Sequence, residues 1–338
     1  MKYAVRTAKV IAAALGLAAI AAPALAQQGL DEPFQKPFKE SLAGKTVAYV
    51  PVAMNFDLTE GWYAGMKKEL EPYGVKFEIR DPNWNTNAGA QAVTSLISEK
   101  PAVMVIHNPD VQTYAKLLQR AENEGIYVIQ INMVSNYKSD AYVGADWIQV
   151  GESVANDIVQ NCGQGTSGKV QIIEGPKTSA ASLDQLTGVI NIFQKHPEIK
   201  VVSDQAGGNW DAAAAHDLAQ TVVRANPDLC AIYGFWDVMT DGAAQAVKAQ
   251  GLAGKVKIYS EGDQSPVACK DFADGLFFKD FTYNDPLQAQ QMFDTASMLL
   301  QSGLKPGTMH IAHYSPIEVW TKDNVTAADC YQAGKTLP

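Results

Sequence analysis

Several short apolar runs in this chain stop abruptly at polar or aromatic residues, and this repeated pattern constrains the fold more than any other feature. The sharpest case is residues 231–237, reading Ala-Ile-Tyr-Gly-Phe-Trp-Asp, an apolar run that closes on a tryptophan and a carboxylate. Residues 103–110, 128–132, 170–174 and 258–263 repeat the pattern. In a parallel α/β sheet each strand is covered on both faces and reads as continuously apolar. The residues at its C-terminal end are then the ones free to meet a ligand. A chain built this way is expected to hold something at its strand ends.

Helical periodicity fills the gaps between these runs. Residues 45–51 read as a first strand, and 58–70 as a helix with Trp62, Met66 and Leu70 on one face, stopping before Pro72 and Gly74. Strand 75–79, helix 86–99, strand 103–106, helix 111–124 and strand 126–131 follow. After a bridging segment at 142–146, read as a short strand or crossover, the alternation restarts. Helices are predicted at 147–161, 182–195, 212–225, 242–250 and 266–273, and strands at 169–173, 200–203, 231–234, 256–260 and 276–281. A long helix at 287–300 and a strand-like 317–320 remain. Two α/β units in tandem with a leftover helix and strand predict two lobes joined by more than one crossover, with a cleft between them. Residues 27–44 precede the first strand, and Pro33 and Pro37 predict an arm there without regular structure.

The 338 residues suffice for about two domains. At the N-terminus, Lys2, Arg6 and Lys9 precede an apolar run at 10–22 and the small-residue ending Ala24-Leu25-Ala26. This reads as a secretory signal over residues 1–26; an uncleaved anchor helix fits less well, because the run is shorter than the roughly 20 residues a span needs. Losing three basic residues and no acidic ones takes the formal charge from −9 to −12. With no Lys/Arg cluster interleaved with aromatics, nucleic acid and anionic membrane are disfavoured as partners, and a neutral or cationic small ligand is easier to reconcile. Cys162, Cys230, Cys269 and Cys330 are too widely spaced for a zinc knuckle or redox pair. In an exported protein their even number points to two disulfides, with three connectivities open.

Most motif-like strings yield to plainer readings. Residues 163–169, Gly-Gln-Gly-Thr-Ser-Gly-Lys, match a phosphate-loop spacing, but they follow a helix and precede a strand, the reverse of the required order. His310 and His313 are spaced like metal ligands but lie in an expected loop without nearby carboxylates or thiolates. No G-x-S-x-G elbow occurs. Asp237 and Asp263 form an acid pair that serves either glycosidase chemistry or the binding of sugar hydroxyls, and Asp237 is also placed to cap the next helix. Trp210, between a strand and a helix, and Trp236, at a strand end, offer flat faces for the C–H faces of sugars and polyols. His107, Asn108 and Asn132 at neighbouring strand ends supply hydrogen bonds, although Asn108 before Pro109 also suits a turn.

Over about residues 45–320 the chain resembles the periplasmic sugar-binding proteins of ABC importers, specifically the ribose-binding-like group. The resemblance rests on element order and on local strings: residues 46–65, Val105-Ile-His-Asn-Pro-Asp110, Ile126-Tyr-Val-Ile129, Glu174-Gly175 with Thr178-Ser-Ala-Ala181, Asn226-Pro-Asp228 and Gly262-Asp263. It implies an α/β protein of two doubly wound parallel-sheet lobes joined by a multi-crossover hinge, the type I periplasmic-binding fold. The implied first lobe is 45–145 plus 285–312, and the second is 146–284 plus 313–338. The implied function is capture of a sugar or sugar alcohol without catalysis, followed by delivery to an inner-membrane permease. The implied protein is a periplasmic monomer without cofactor or metal, and a chemoreceptor or sensor is a compatible further partner. A secreted glycosidase or sugar-modifying enzyme is the alternative.

Carried over position by position, the resemblance implies a ligand set of Asn55, Phe56 and Asp57; His107 or Asn108; Asn132, with Met133; Asp184 or Gln185; Trp210; Trp236; Asp263; and Asn284. Both arginines of the ribose pattern are missing here, at Met133 and at Asp184 or Gln185, and Trp236 replaces an asparagine. These departures point away from ribose and towards a polyol or another pyranose. The resemblance also puts all four cysteines on the second lobe and implies the pairs Cys162–Cys230 and Cys269–Cys330.

Overall fold

A computed structural model describes residues 32–326 and 328–330. The expected signal segment, the first residues of the expected arm and residues 331–338 lie outside them. The chain runs α1 (Glu32–Leu42), β1 (Thr46–Val50), α2 (Asp57–Leu70), β2 (Lys76–Ile79), α3 (Thr86–Glu99), β3 (Val103–Ile106), α4 (Ala115–Asn123), β4 (Tyr127–Ile131) and β5 (Ala141–Gly144). It continues through α5 (Trp147–Cys162), β6 (Lys169–Glu174), α6 (Ala180–Phe193), β7 (Lys200–Ala206), α7 (Ala212–Ala225), β8 (Ala231–Gly234), α8 (Asp237–Ala249), β9 (Lys257–Gly262), α9 (Pro266–Ala273) and β10 (Phe277–Tyr283). It ends with α10 (Asp285–Ser302), β11 (Ile311–Tyr314) and β12 (Ile317–Trp320).

Two six-stranded sheets result, ordered β11-β5-β4-β3-β1-β2 and β12-β10-β9-β8-β6-β7. Every pairing is parallel except β10 with β12. Each sheet starts at an internal strand, winds one way to its edge, then reverses. The order therefore switches between β1 and β3 in one sheet and between β6 and β8 in the other, and crevices open at such points beyond the strands' C-terminal ends. Strands β3, β4 and β8 are buried along their whole length, as helices on both faces require, whereas the edge strand β7 is largely exposed. Three passages cross between the sheets: from β5 to α5, from β10 to α10 and from β11 to β12.

Side-chain caps fix where several helices begin. Asn85, Asp146, Ser179, Asp211, Ser265 and Asn284 each accept a backbone N–H at the start of the helix that follows. Disulfides join Cys162 to Cys230 and Cys269 to Cys330, closing sequence separations of 68 and 61 residues. Among the described residues no helix is long and apolar enough to cross a membrane.

Four local expectations are corrected. Much of the supposed irregular arm is α1, with Pro37 inside it. Proline costs a helix one hydrogen bond, but here the helix is held by Leu42, fully buried, and by Phe38, whose ring meets Tyr73 edge-on at 5.1 Å. Helix α4 starts four residues late because Asp110 Oδ1 accepts the backbone N–H of Gln112 and Thr113 (both 2.7 Å), holding a turn instead. Helix α8 starts five residues early, at Asp237 itself. His313 lies not in a loop but on β11, which pairs in parallel with β5.

Candidate functional site

The two switch points face each other, and a pocket enclosing about 400 Å³ of free space, counted to its open mouth, lies between them. The first sheet's loops contribute Val52, Phe56 and Leu58 after β1, Trp84 after β2, His107 after β3, and Asn132 with Met133 after β4. The second sheet's side contributes Trp147 and Ala181 from the starts of α5 and α6, Trp210 after β7, Trp236 after β8, Glu261 near the end of β9 and Tyr283 at the end of β10.

Aromatic rings build most of the wall. Phe56 stacks on Trp84 (5.3 Å, 20° between planes) and meets Trp236 across the cleft at 5.6 Å and 67°. Trp236 stands at 90° to Trp210, and Trp147 at 89° to Tyr283. Gly175, after β6, allows the Trp210 ring to lie on the backbone, since a Cβ there would come within 2.3 Å of it. Four cavity residues, Trp84 (φ 63°), Asn132 (59°), Trp210 (60°) and Trp236 (80°), adopt left-handed backbone. Such conformations cost non-glycine residues about 1–3 kcal/mol each and gather where a site needs them.

The polar atoms in this wall are few, and four of them are unsatisfied. Both ring nitrogens of His107, which is 3% exposed, lack a hydrogen-bond partner, as do Asn132 Oδ1 and Glu261 Oε2. Buried polar atoms are rarely left so, and a cluster of them on one cavity implies that a ligand completes the bonding. Burial pushes the His107 imidazole down to about 3, so at neutral pH it is uncharged and offers one donor and one acceptor. Glu261 is held well above the usual carboxylate range, first by burial and then by Asp237; its Oε1 accepts from Gln185 Nε2 at 3.2 Å. Asp263 accepts the Trp236 indole N–H (3.0 Å), which lowers its pKa, but burial outweighs this and pushes the carboxyl up to about 6.

The cavity thus gathers six of the residues expected to touch a ligand: Phe56, His107, Asn132, Met133, Trp210 and Trp236. Others stand behind them. Asn55 Oδ1 accepts the Trp84 indole N–H (3.0 Å), and Asp263 anchors Trp236. Asp57 begins α2, and its charge helps raise Asp263. Asn108 is turned into the first lobe, where its Nδ2 donates to Gln130 Oε1 (2.9 Å) and to the Met133 carbonyl (2.8 Å). Gln185 is buried between the Tyr233 hydroxyl and Glu261. Two more lie off the cavity altogether. Asp184 faces a separate groove beside Asp146 and His310, and Asn284 spends its Oδ1 on the Leu287 N–H as a helix cap. Trp84, Trp147, Glu261 and Tyr283 were not anticipated, although Glu261 and Tyr283 obey the same strand-end rule as the rest.

Paired doubly wound lobes with a cavity between their switch points define a two-lobed binding protein of the type I periplasmic class. The chain belongs to the periplasmic binding protein domain family, whose model matches residues 47–305. It is 35% identical over 147 residues to the D-allose-binding periplasmic protein of Escherichia coli (strain K12), covering 41% of this chain and 47% of that protein. To the D-xylose-binding periplasmic protein of Haemophilus influenzae it is 29% identical over 212 residues, covering 61% and 63%. These alignments thus span about half to two thirds of the curated relatives' length. Among solved structures, a solute-binding protein of an ABC transporter from Burkholderia graminis C4D1M, in complex with D-arabinose, superposes with a TM-score of 0.75 at 22% identity, covering 85% of this chain and 98% of that one. The myo-inositol-binding protein of Caulobacter gives 0.74 at 21% identity, covering 83% and 94%.

Proposed function

We propose that this protein captures a sugar or sugar alcohol in the cleft between its lobes and delivers it, chemically unchanged, to the permease of an ABC importer. The observation that carries this reading is the pairing of aromatic walls with unpartnered buried polar atoms, His107 Nδ1 and Nε2, Asn132 Oδ1 and Glu261 Oε2, on both sides of one cavity. Ring faces suit the C–H face of a polyol, and the free polar atoms replace the water its hydroxyls lose. The curated relatives' names, D-allose-binding and D-xylose-binding, support this class of ligand. Export by the N-terminal signal and residence in the periplasm as a monomer follow from the same reading, as does the absence of catalysis.

A thermal-shift panel of pentoses, hexoses, their amino derivatives and polyols tests it. A ligand present at about 100 times its Kd stabilises the folded state by about 2.7 kcal/mol, a shift of several degrees. At least one carbohydrate is expected to do so without being consumed. A panel with no stabilising member, or a new product in the supernatant, would contradict the proposal.

A further inference from the structure

The cavity's charge and ring geometry go beyond a neutral carbohydrate. Five carboxyl groups, those of Asp237, Glu261, Asp263, Asp280 and Asp285, are buried on the second-lobe side and at the adjoining crossover. Burial raises their pKa values most, and their charges add to one another: Asp237 is pushed up further by Asp263 and Asp280, Glu261 by Asp237 and Asp263, and Asp280 by Glu261 and Asp263. No ion pair among the described residues reaches any of the five, and no lysine or arginine lines the cavity. Glu261, 2% exposed, lines that cavity, and its Oε2 is unpartnered.

The rings around it are set for a compact charge. A puckered sugar ring presents two broad, opposed faces of C–H groups and is best held against one aromatic face or between two parallel ones. Here Trp236 is perpendicular to Trp210 and inclined at 67° to Phe56, and Trp147 is perpendicular to Tyr283, while Phe56 and Trp84 lie nearly parallel but are stacked on each other. Rings crossed at steep angles line one cavity from different sides, an arrangement that suits a compact cation better than a disc-shaped ligand, as in cages that hold ammonium groups.

We propose that the ligand is a hydroxylated organic cation, an amine or ammonium group on an alcohol or sugar body, with the positive charge held by Glu261 and the crossed rings. This rests on the inter-lobe cleft being the binding site and refines the class of ligand it takes. The hydroxyl groups fall to His107 and Asn132 on the opposite lobe, so the ligand's two ends tie the lobes together. The acidic surface attracts such a ligand before it docks.

Matched pairs on the full mature chain test the proposal by titration calorimetry: D-glucosamine against D-glucose, D-galactosamine against D-galactose, and choline against 3,3-dimethyl-1-butanol. In at least one pair the cation is expected to bind roughly ten- to a hundredfold tighter than its neutral partner, the range a charge-assisted contact supplies. Glu261→Gln, which keeps an acceptor for Gln185, is expected to weaken the cation far more than its neutral partner and so to erase most of that ratio; equal losses for both members of the pair would overturn the inference. Neutral members binding as tightly as or tighter than the cations in every pair would overturn the inference and leave the carbohydrate reading standing. Choline binding alone would uphold the cation and remove the sugar. A panel in which nothing binds would overturn both.

Discussion

Trp236 carries more of this site than any other residue. Its backbone is left-handed, its indole N–H is tied to Asp263, and its ring faces Phe56 on the opposite lobe and Trp210 on its own. Truncating it to alanine removes these ring contacts and the hydrogen bond to Asp263 at a partly buried position packed against the core, and leaves the strands and helices in place. Trp236→Ala is therefore expected to weaken ligand binding about five- to thirtyfold, taking a ring contact at about 1–2 kcal/mol, with the circular dichroism spectrum unchanged. Wild-type affinity in that variant would move the site elsewhere. Asp263 behind it makes stability depend on pH. Its carboxyl titrates at about 6 in the fold against a usual 3.8, so between those values the folded state holds a proton that the unfolded chain has released. Stability from this group therefore rises as pH falls from 7.5 towards 4, and Glu261, Asp237, Asp280 and Asp285 act in the same direction. His107, pushed down to about 3, opposes them as pH falls below its ordinary 6.5. Because the carboxyls outnumber it, the ligand-free protein is expected to melt at a higher temperature at pH 5 than at pH 7.5. Asp263→Asn should remove on the order of 1 kcal/mol of that gain, read by calorimetry. The cavity residues at strand ends were legible in the sequence because a strand's C-terminal end fixes where its next side chain goes. Asn108 and Gln185 were not, because their direction is set by Gln130, Tyr233 and Glu261, partners distant in sequence.

Helix packing holds these strand ends in place. Helices α5 and α6 pack so closely that a Cβ on Gly188 would come within 2.2 Å of the Ile148 carbonyl oxygen, and one on Gly151 within 2.1 Å of the Gln185 carbonyl oxygen. Because α5 presents Trp147 and α6 presents Ala181 to the cavity, spreading the pair distorts the site as well as the core. Gly188→Ala is expected to cost on the order of 1–3 kcal/mol in chemical denaturation and to weaken ligand binding. An unchanged midpoint would show that the helices have room to separate. Most elements were readable because apolar runs and helical periods alternate cleanly along the chain. Those that were not, α1 with its internal proline and the edge strand β11 with alternating burial, owe their form to neighbours far away in sequence: Tyr73 for α1 and β5 for β11.

Across the whole molecule, contacts between the lobes tie the cleft shut. Besides the Phe56–Trp236 pair, Asn132 Nδ2 donates to the Tyr283 hydroxyl at 3.4 Å, and the Val111 N–H donates to the Thr178 carbonyl at 3.0 Å. Three chain crossings join the lobes, and a ligand that touches both of them favours this arrangement only by its differential affinity for it. The two-lobed plan was legible from the restart of the strand–helix alternation after residue 146, and the acidic balance already favoured a neutral or cationic ligand, but the arrangement of charge at the cleft was not legible. It depends on how five separate carboxylates converge and how six rings are angled, which no linear pattern encodes. The most direct measurement is mass spectrometry of the small molecule released from protein purified without refolding, compared with Trp236→Ala. The account predicts one equivalent of a single polyhydroxylated or amino-alcohol compound, chemically intact and absent from the variant. Protein that carries no small molecule and takes up none from a carbohydrate and amine mixture, or that releases a transformed product, would contradict it.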